Sequence, residues 1–233
     1  DKTGKLKVHT TKAASAVITA SYGPVVQNVT VTVADGRFWY SLGNGLGNGL
    51  DNNWYLDGNN ASVVSSDGNK TTVQMGSGYR GDLWLARSGK GKIVNVTPAD
   101  YRYFAIKVGF KSQLVPGKNK PNGCIKLEIF DDGIKKIGPE YFGTGGDANN
   151  RYEILGASEI STTEPNVLYY DLQSKYKTVT PTDWNQVFDL SQCKFVIADF
   201  PETAQTYDLY WIRSFKSIEE LQAFVDSENN TNE

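Results

Sequence analysis

The sequence predicts an all-β protein, a β-sandwich or jelly roll carrying one short C-terminal helix. Two observations predict the sheets. Short runs in which apolar and polar residues alternate recur along the 233 residues, and nearly every run is bounded by Gly, Asn, Asp or Pro. A third observation predicts the helix: a 3.6-residue periodicity appears near the end of the chain.

The runs can be taken in order. LKVHTT and AVITASY are strand-like, and Gln27–Gly36 alternates Val with polar residues up to an Asp-Gly turn. Because RFWYSLG follows at once, Gln27–Gly43 reads as a hairpin. ASVV and TTVQM flank SSDGNK as a second hairpin. Tyr101–Phe110 is a long apolar strand. In CIKLEIFDDG, Ile125, Leu127 and Ile129 share one face, with Lys126, Glu128 and Phe130 on the other. RYEILGAS, NVLYYDLQ, CKFVIADF and YDLYWIRSF complete the series. GNGLGNGLDNN, VPGKNKPNG, FGTGGDANN and STTEPN are the turns between them. The helix is Ser217–Glu228, where Ser217 with Glu220 three residues on makes a capping box. Ile218, Leu221, Phe224 and Val225 then fall on one face, ready to pack on the sandwich.

Two units are expected. Residues 1–48 form a small β segment, part of an immunoglobulin-like sheet or of the same sandwich. Residues 49–228 form the main domain. GLGNGLGNGLD is either a flexible join between them or a long loop within one sandwich.

Composition excludes several functions. Twenty-four Lys and Arg against 26 Asp and Glu give a net charge of −2, which removes the basic footprint of a nucleic-acid binder. The longest apolar runs are far shorter than a membrane span. The lone His9 near the N-terminus is poor material for a catalytic triad or a zinc site. Cys124 and Cys193 each open a strand, as buried thiols or as a strand-to-strand disulfide. A sandwich glycosidase needs two carboxylates flanking the scissile bond. In LEIFDDG, Glu128 and Asp131 fall on opposite faces, and Glu128 and Asp132 sit about 13 Å apart. Loop residues Asp51, Asp57, Asp67, Asp131, Asp132 and Asp147 are the oxygen donors from which a structural calcium site could be built. No cofactor is required.

Aromatic residues point elsewhere. Five Trp, 13 Tyr and 10 Phe make up 12% of the chain. Phe104, Phe195 and Phe215 suit a core, but other rings sit among turn-forming polar residues. Trp54 and Tyr55 lie in DNNWYLDGNN, Tyr79 in GSGYRGD, Trp84 in DLWLARSG, Tyr141 in PEYFGTGG and Trp184 in PTDWNQ. Such rings either pack locally under their loop or stack on the C–H face of a sugar, whose hydroxyls then bond to nearby polar groups. The densest cluster is GSGYRGDLW, which offers two rings, a forked donor and an acceptor within six residues. The candidate ligand-binding set is therefore Asn53, Trp54, Tyr79, Arg80, Asp82, Trp84, Tyr141 and Trp184.

GYRGDLW, TPADYRYFAIKVGFK, CIKLEIFDD, FVIADF and YDLYWIRSFKSIEELQAFV together resemble a Bacteroidetes jelly-roll domain family of carbohydrate-binding-module type. The likeness spans roughly Asp51 to Val225. It implies a surface glycan-binding lipoprotein of a polysaccharide-utilisation system, at the extracellular or outer-membrane surface and anchored in the full-length protein. It also implies outer-membrane glycan-uptake proteins as partners. The expected function is non-catalytic binding of polysaccharide or oligosaccharide. The alternatives are a sandwich-fold glycosidase and a structural or adhesive surface protein that binds other proteins.

Overall fold

The computed structural model describes residues 14–33, 37, 39–46, 54–56, 61–76, 80–87, 90–91, 94–96, 99–112, 125–131, 135–136, 153–157, 160–173, 188–198 and 205–230. The strands are β1 (Ala14–Tyr22), β2 (Val25–Val33), β3 (Trp39–Ser41), β4 (Tyr55–Leu56), β5 (Ala61–Ser66), β6 (Thr71–Met75), β7 (Arg80–Arg87) and β8 (Lys90–Gly91). They continue as β9 (Val94–Val96), β10 (Tyr103–Phe110), β11 (Ile125–Asp131), β12 (Lys135–Lys136), β13 (Glu153–Ile154), β14 (Asn166–Asp171), β15 (Phe188–Ala198) and β16 (Thr206–Phe215). The helix α1 is Ile218–Asn230.

Among the described residues these strands make two sandwich sheets and a separate hairpin. The first sheet runs β13-β14-β10-β16-β6-β5, with β3 also on β16. The second runs β12-β11-β15-β7-β4, with β8 on β7 and β9 on β15. The chain crosses between the sheets repeatedly, so their inner faces share one core. Phe104, Ile106, Leu168, Leu209 and Ile212 of the first sheet meet Leu83, Phe195 and Ile197 of the second, as expected for an all-β sandwich.

The first sheet is covered on its other side too. Ala105, Val167, Trp211 and Phe215 form a second cluster with Leu221, against which Phe224 and Val225 also pack. This explains why β10 and β16 are buried almost throughout rather than on one face only. The helix begins as its sequence requires. The Glu220 amide donates to Ser217 Oγ at 3.2 Å, and the Glu220 carboxylate accepts from the Lys216 amide at 2.7 Å.

The β5–β6 turn also follows its residues. Asp67 accepts from the Asn69 and Lys70 amides, and Gly68 takes φ +90°, a conformation that needs no Cβ. The backbone of Gly43 presses against Gly68, accepts from its amide at 3.0 Å, and leaves no room for a Cβ. Leu42 is held beside it, its amide on the Tyr210 carbonyl and its carbonyl on Thr71 Oγ1.

One pairing expectation is corrected. The hairpin read over Gln27–Gly43 does not form, because β2 pairs with β1 along all nine residues and β3 pairs with β16. The β1–β2 turn is at Gly23, with φ +58° and Pro24 following. Asp35 and Gly36, the expected turn, lie outside the described residues, as do His9 and Cys124. Cys193 lies on β15 opposite Ile129 of β11 and Ala86 of β7.

Candidate functional site

The pair Trp54–Tyr55 decides where a site can be. Tyr55 and Leu56 form β4 against Trp84 and Leu83 of β7. Side chains alternate across a strand, so neighbours take opposite faces. Trp54 goes inward and has none of its surface exposed. Its ring packs tilted against Phe195 at 5.7 Å and edge-on to Tyr40 at 6.0 Å. The stacking role expected for Trp54 is therefore corrected to a core role, since a ring with no accessible face cannot meet a sugar.

Tyr55 takes the outer face and is half-buried. It stands directly opposite Trp84, whose neighbour Leu83 is in the core. On the other side of β7, Lys194 of β15 stands opposite Trp84, and Glu128 of β11 stands opposite Lys194. Three ladders thus set Tyr55, Trp84, Lys194 and Glu128 in one row across four strands. Arg80, Asp82 and Trp84 occupy alternate positions of β7, paired with Ala198, Val196 and Lys194 without a register shift between them.

Of the cluster read from GSGYRGDLW, Arg80, Asp82 and Trp84 hold alternate positions of β7, and Tyr55 and Lys194 pair with Trp84. Trp84 is less accessible than its polar surroundings in the sequence suggest, at 7% exposed. The Lys194 ammonium lies 4.5 Å from its ring centroid. Trp84 is thus a covered ring that positions Lys194, and in this structure it offers no open stacking surface. Asn53, Tyr79, Tyr141 and Trp184 lie outside the described residues.

Two groupings on the first sheet were not found by sequence reading. In the first, Trp39 sits with the Arg37 guanidinium 3.8 Å and that of Arg213 4.4 Å from its ring centroid. Phe215 and Phe224 meet the same ring edge-on. With cations on the ring and aromatics at its edge, this corner fastens the segment before β3 to α1.

The second surrounds Asp208, whose side chain is 2% exposed. It accepts from Lys70 Nζ at 2.8 Å, Lys111 Nζ at 3.0 Å and Thr72 Oγ1 at 2.7 Å. Burial pushes this carboxyl up, but those hydrogen bonds outweigh it and hold it below the usual carboxylate range. The same bond raises the Lys70 ammonium. Beside it Tyr210 is the extra residue of a β-bulge, since Lys107 pairs with Trp211 and Val108 with Leu209. Burial raises the Tyr210 hydroxyl, and Lys107 Nζ lies 5.5 Å from its ring. The Asp208 carboxylate is engaged by all three of its partners, so the grouping reads as a structural knot. No signal in the sequence could have joined Lys70 to Asp208 across 138 residues.

For a metal, no cluster of three or more His, Cys, Asp or Glu occurs among the described residues. Asp67 is engaged in its turn and Asp131 ends β11. Asp51, Asp57, Asp132 and Asp147 lie outside the described residues.

No curated protein matches the chain. One solved structure that it resembles is a low-affinity xylan-binding module, CBM86, from Roseburia intestinalis. Identity is 11%, with 89% of this chain and 98% of that chain covered and a TM-score of 0.33. A likeness at that score carries no argument about fold or function. Residues 45–221 match the family described as a domain of unknown function, DUF4979, and the chain belongs to that family.

Proposed function

We propose that the chain is a non-catalytic binding module for polysaccharide or oligosaccharide, using the outer face of the second sheet around Tyr55 and β7. The observation that carries the reading is the half-buried Tyr55 beside the buried pair Trp84–Lys194, with Arg80 and Asp82 at alternate positions of β7 before Trp84. Sugar recognition needs a flat apolar surface beside forked donors and acceptors, and this face supplies both residue types. Tyr55 provides the ring, Arg80 and Asp82 orient hydroxyls, and Trp84 under Lys194 stiffens the platform. Asn53, Tyr79, Tyr141 and Trp184 remain contributors from their loops, and binding of this kind requires no cofactor.

The binder is preferred to a glycosidase because the spacing of LEIFDDG, as read from the sequence, does not set two carboxylates as a facing pair. The resemblance to Bacteroidetes glycan-binding domains supports the wider setting. In that setting residues 49–228 bind glycan at the cell surface, anchored in the full-length protein and beside outer-membrane uptake proteins.

Affinity electrophoresis of the purified chain on a panel of soluble polysaccharides tests this. Retardation by one glycan class, absent in Tyr55→Ala and Arg80→Ala and without release of reducing sugar, is the expected result. Release of sugar would make the chain an enzyme. Free migration on every glycan would refute the reading.

A further inference from the structure

Of the tryptophans among the described residues, Trp54, Trp84 and Trp211 are buried and Trp39 is 41% exposed. Alternation along β3 accounts for this. Tyr40 turns inward and packs against the core, so Trp39 and Ser41 take the outer face of the first sheet, and both are exposed. The β3–β16 ladder sets Arg213 directly opposite Trp39.

Arg213 is poorly answered there. Its side chain is only 12% exposed. Its guanidinium lies 4.4 Å from the ring centroids of both Trp39 and Phe224, and 5.3 Å from that of Trp211. A guanidinium carries five N–H donors, and its charge is costly to bury. Among the described residues those donors make one hydrogen bond, from Nη2 to the exposed Ser41 Oγ at 3.4 Å, and the buried Nε meets no acceptor. Glu228 Oε1 stays 3.9 Å from Nη1, while its Oε2 accepts from Lys107 and Trp211 at 3.0 Å. Arg37 brings a second cation to 3.8 Å from the Trp39 centroid, with Glu220 4.0 Å away. Burial lowers the Arg213 pKa against the pull of Glu228, and Arg37 lowers it further. The rings answer charge but offer no acceptor to a fork of donors. A planar anion with two oxygens does.

We propose that Trp39, Ser41 and Arg213, with Arg37 beside them, form a second glycan subsite that takes an acidic sugar, a uronate residue of a polysaccharide. The carboxylate meets the Arg213 fork where it reaches the surface at Ser41. The sugar's C–H groups lie on the exposed part of the indole, and Ser41 Oγ takes a hydroxyl. A neutral sugar would leave the guanidinium as it is, and a bare anion would leave the indole uncovered. Only the sugar body rests on the glycan-binding reading, since the carboxylate follows from the arginines. The subsite is separate from Tyr55, which belongs to the other sheet.

Affinity electrophoresis on polygalacturonate and alginate, with methyl-esterified polygalacturonate as the uncharged counterpart, tests the subsite. At a net charge of −2 the chain has no general attraction to a polyanion, so retardation reports a local site. Wild type should bind a uronate chain about tenfold more tightly than the ester. Arg213→Lys keeps the charge but loses the fork, and it should weaken uronate binding about tenfold at an unchanged melting temperature. The exposed Arg37→Gln leaves the buried contacts in place and should weaken it severalfold, so the test does not hang on one variant folding. Tyr55→Ala should leave it unchanged.

Equal retardation by acid and ester would overturn the carboxylate. Loss in Tyr55→Ala with Arg213→Lys unaffected would put the acidic sugar on the second sheet and overturn the subsite. Retardation by a neutral glycan but by neither uronate would sink the subsite alone. Free migration on every glycan would sink the glycan-binding reading with it.

Discussion

The Lys194 ammonium lies 4.5 Å from the ring centroid of Trp84, and both residues are buried. Burying an ammonium is costly unless something answers its charge, and the negative face of an indole does so. The contact is set by the ladder, because Lys194 of β15 stands directly opposite Trp84 of β7. Glu128 occupies the corresponding position on the other side, in β11. The outer face of the second sheet therefore has a fixed centre, and Tyr55 borders it.

Removing that charge should loosen the centre. Lys194→Met keeps the apolar stem but loses the cation–π contact, which is worth about 0.5–2 kcal/mol. Urea denaturation should show a loss in that range, while Lys194→Arg retains most of the stability. A Met variant as stable as wild type would mean that the contact contributes nothing beyond packing.

The neighbours Trp54 and Tyr55 should separate stability from binding. Trp54→Ala empties a fully buried site and should cost roughly 3–5 kcal/mol. The milder Trp54→Phe should melt earlier than wild type yet leave glycan retardation unchanged. Tyr55→Ala should do the reverse, with a small change in melting and a loss of retardation. If Trp54→Phe abolished retardation while keeping its melting temperature, the assignment of faces would be wrong.

These two residues also show what a sequence can and cannot disclose. DNNWYLDGNN says that aromatics interrupt a polar loop but not which ring goes inward. That depends on the β4–β7 register, set by residues almost thirty positions away. The strands of β10, β11 and β16 and the capping box at Ser217 were legible because apolar runs, alternation and capping are local. The hairpin over Gln27–Gly43 was misread for the converse reason. Asp35-Gly36 is a strong local turn signal, yet β3 is claimed by a distant strand where Trp39 packs edge-on against Phe215 at 5.8 Å and Phe224 at 5.4 Å. The Gly23-Pro24 turn gives β2 its partner instead. Asp208 and its lysines were invisible for the same reason, since nothing local joins β6 to β16.

Asp208 should make stability depend on acid. Its folded-state carboxyl is held below the ordinary value, so its stabilisation is present at neutral pH and is lost as pH falls below about 4. Lys70, raised by the same bond, contributes below about pH 10 and loses its share above that. Asp208→Asn should cost about 1.5–3 kcal/mol at pH 7, the scale of a hydrogen bond to a charged group. The gap between variant and wild type should narrow as the melting series moves below pH 4. A gap that stays constant into acid would show that the charge is not what Lys70 and Lys111 require.

Glu228 tests whether tertiary contacts override helix electrostatics. It lies in the last turn of α1, where a carboxylate opposes the helix dipole by about 0.3–1 kcal/mol. There it accepts from Lys107 Nζ and Trp211 Nε1, each at 3.0 Å, with Arg213 at 3.9 Å. Hydrogen bonds to a charged group are worth about 1.5–3 kcal/mol each, so the contacts to β10 and β16 should outweigh the dipole penalty. Glu228→Ala should therefore speed hydrogen exchange through the last turns of α1, while amides of the β5–β6 hairpin keep their protection. Slower exchange in α1 would mean that relief of the dipole dominates and that the helix is held by its apolar contacts, Leu221, Phe224 and Val225.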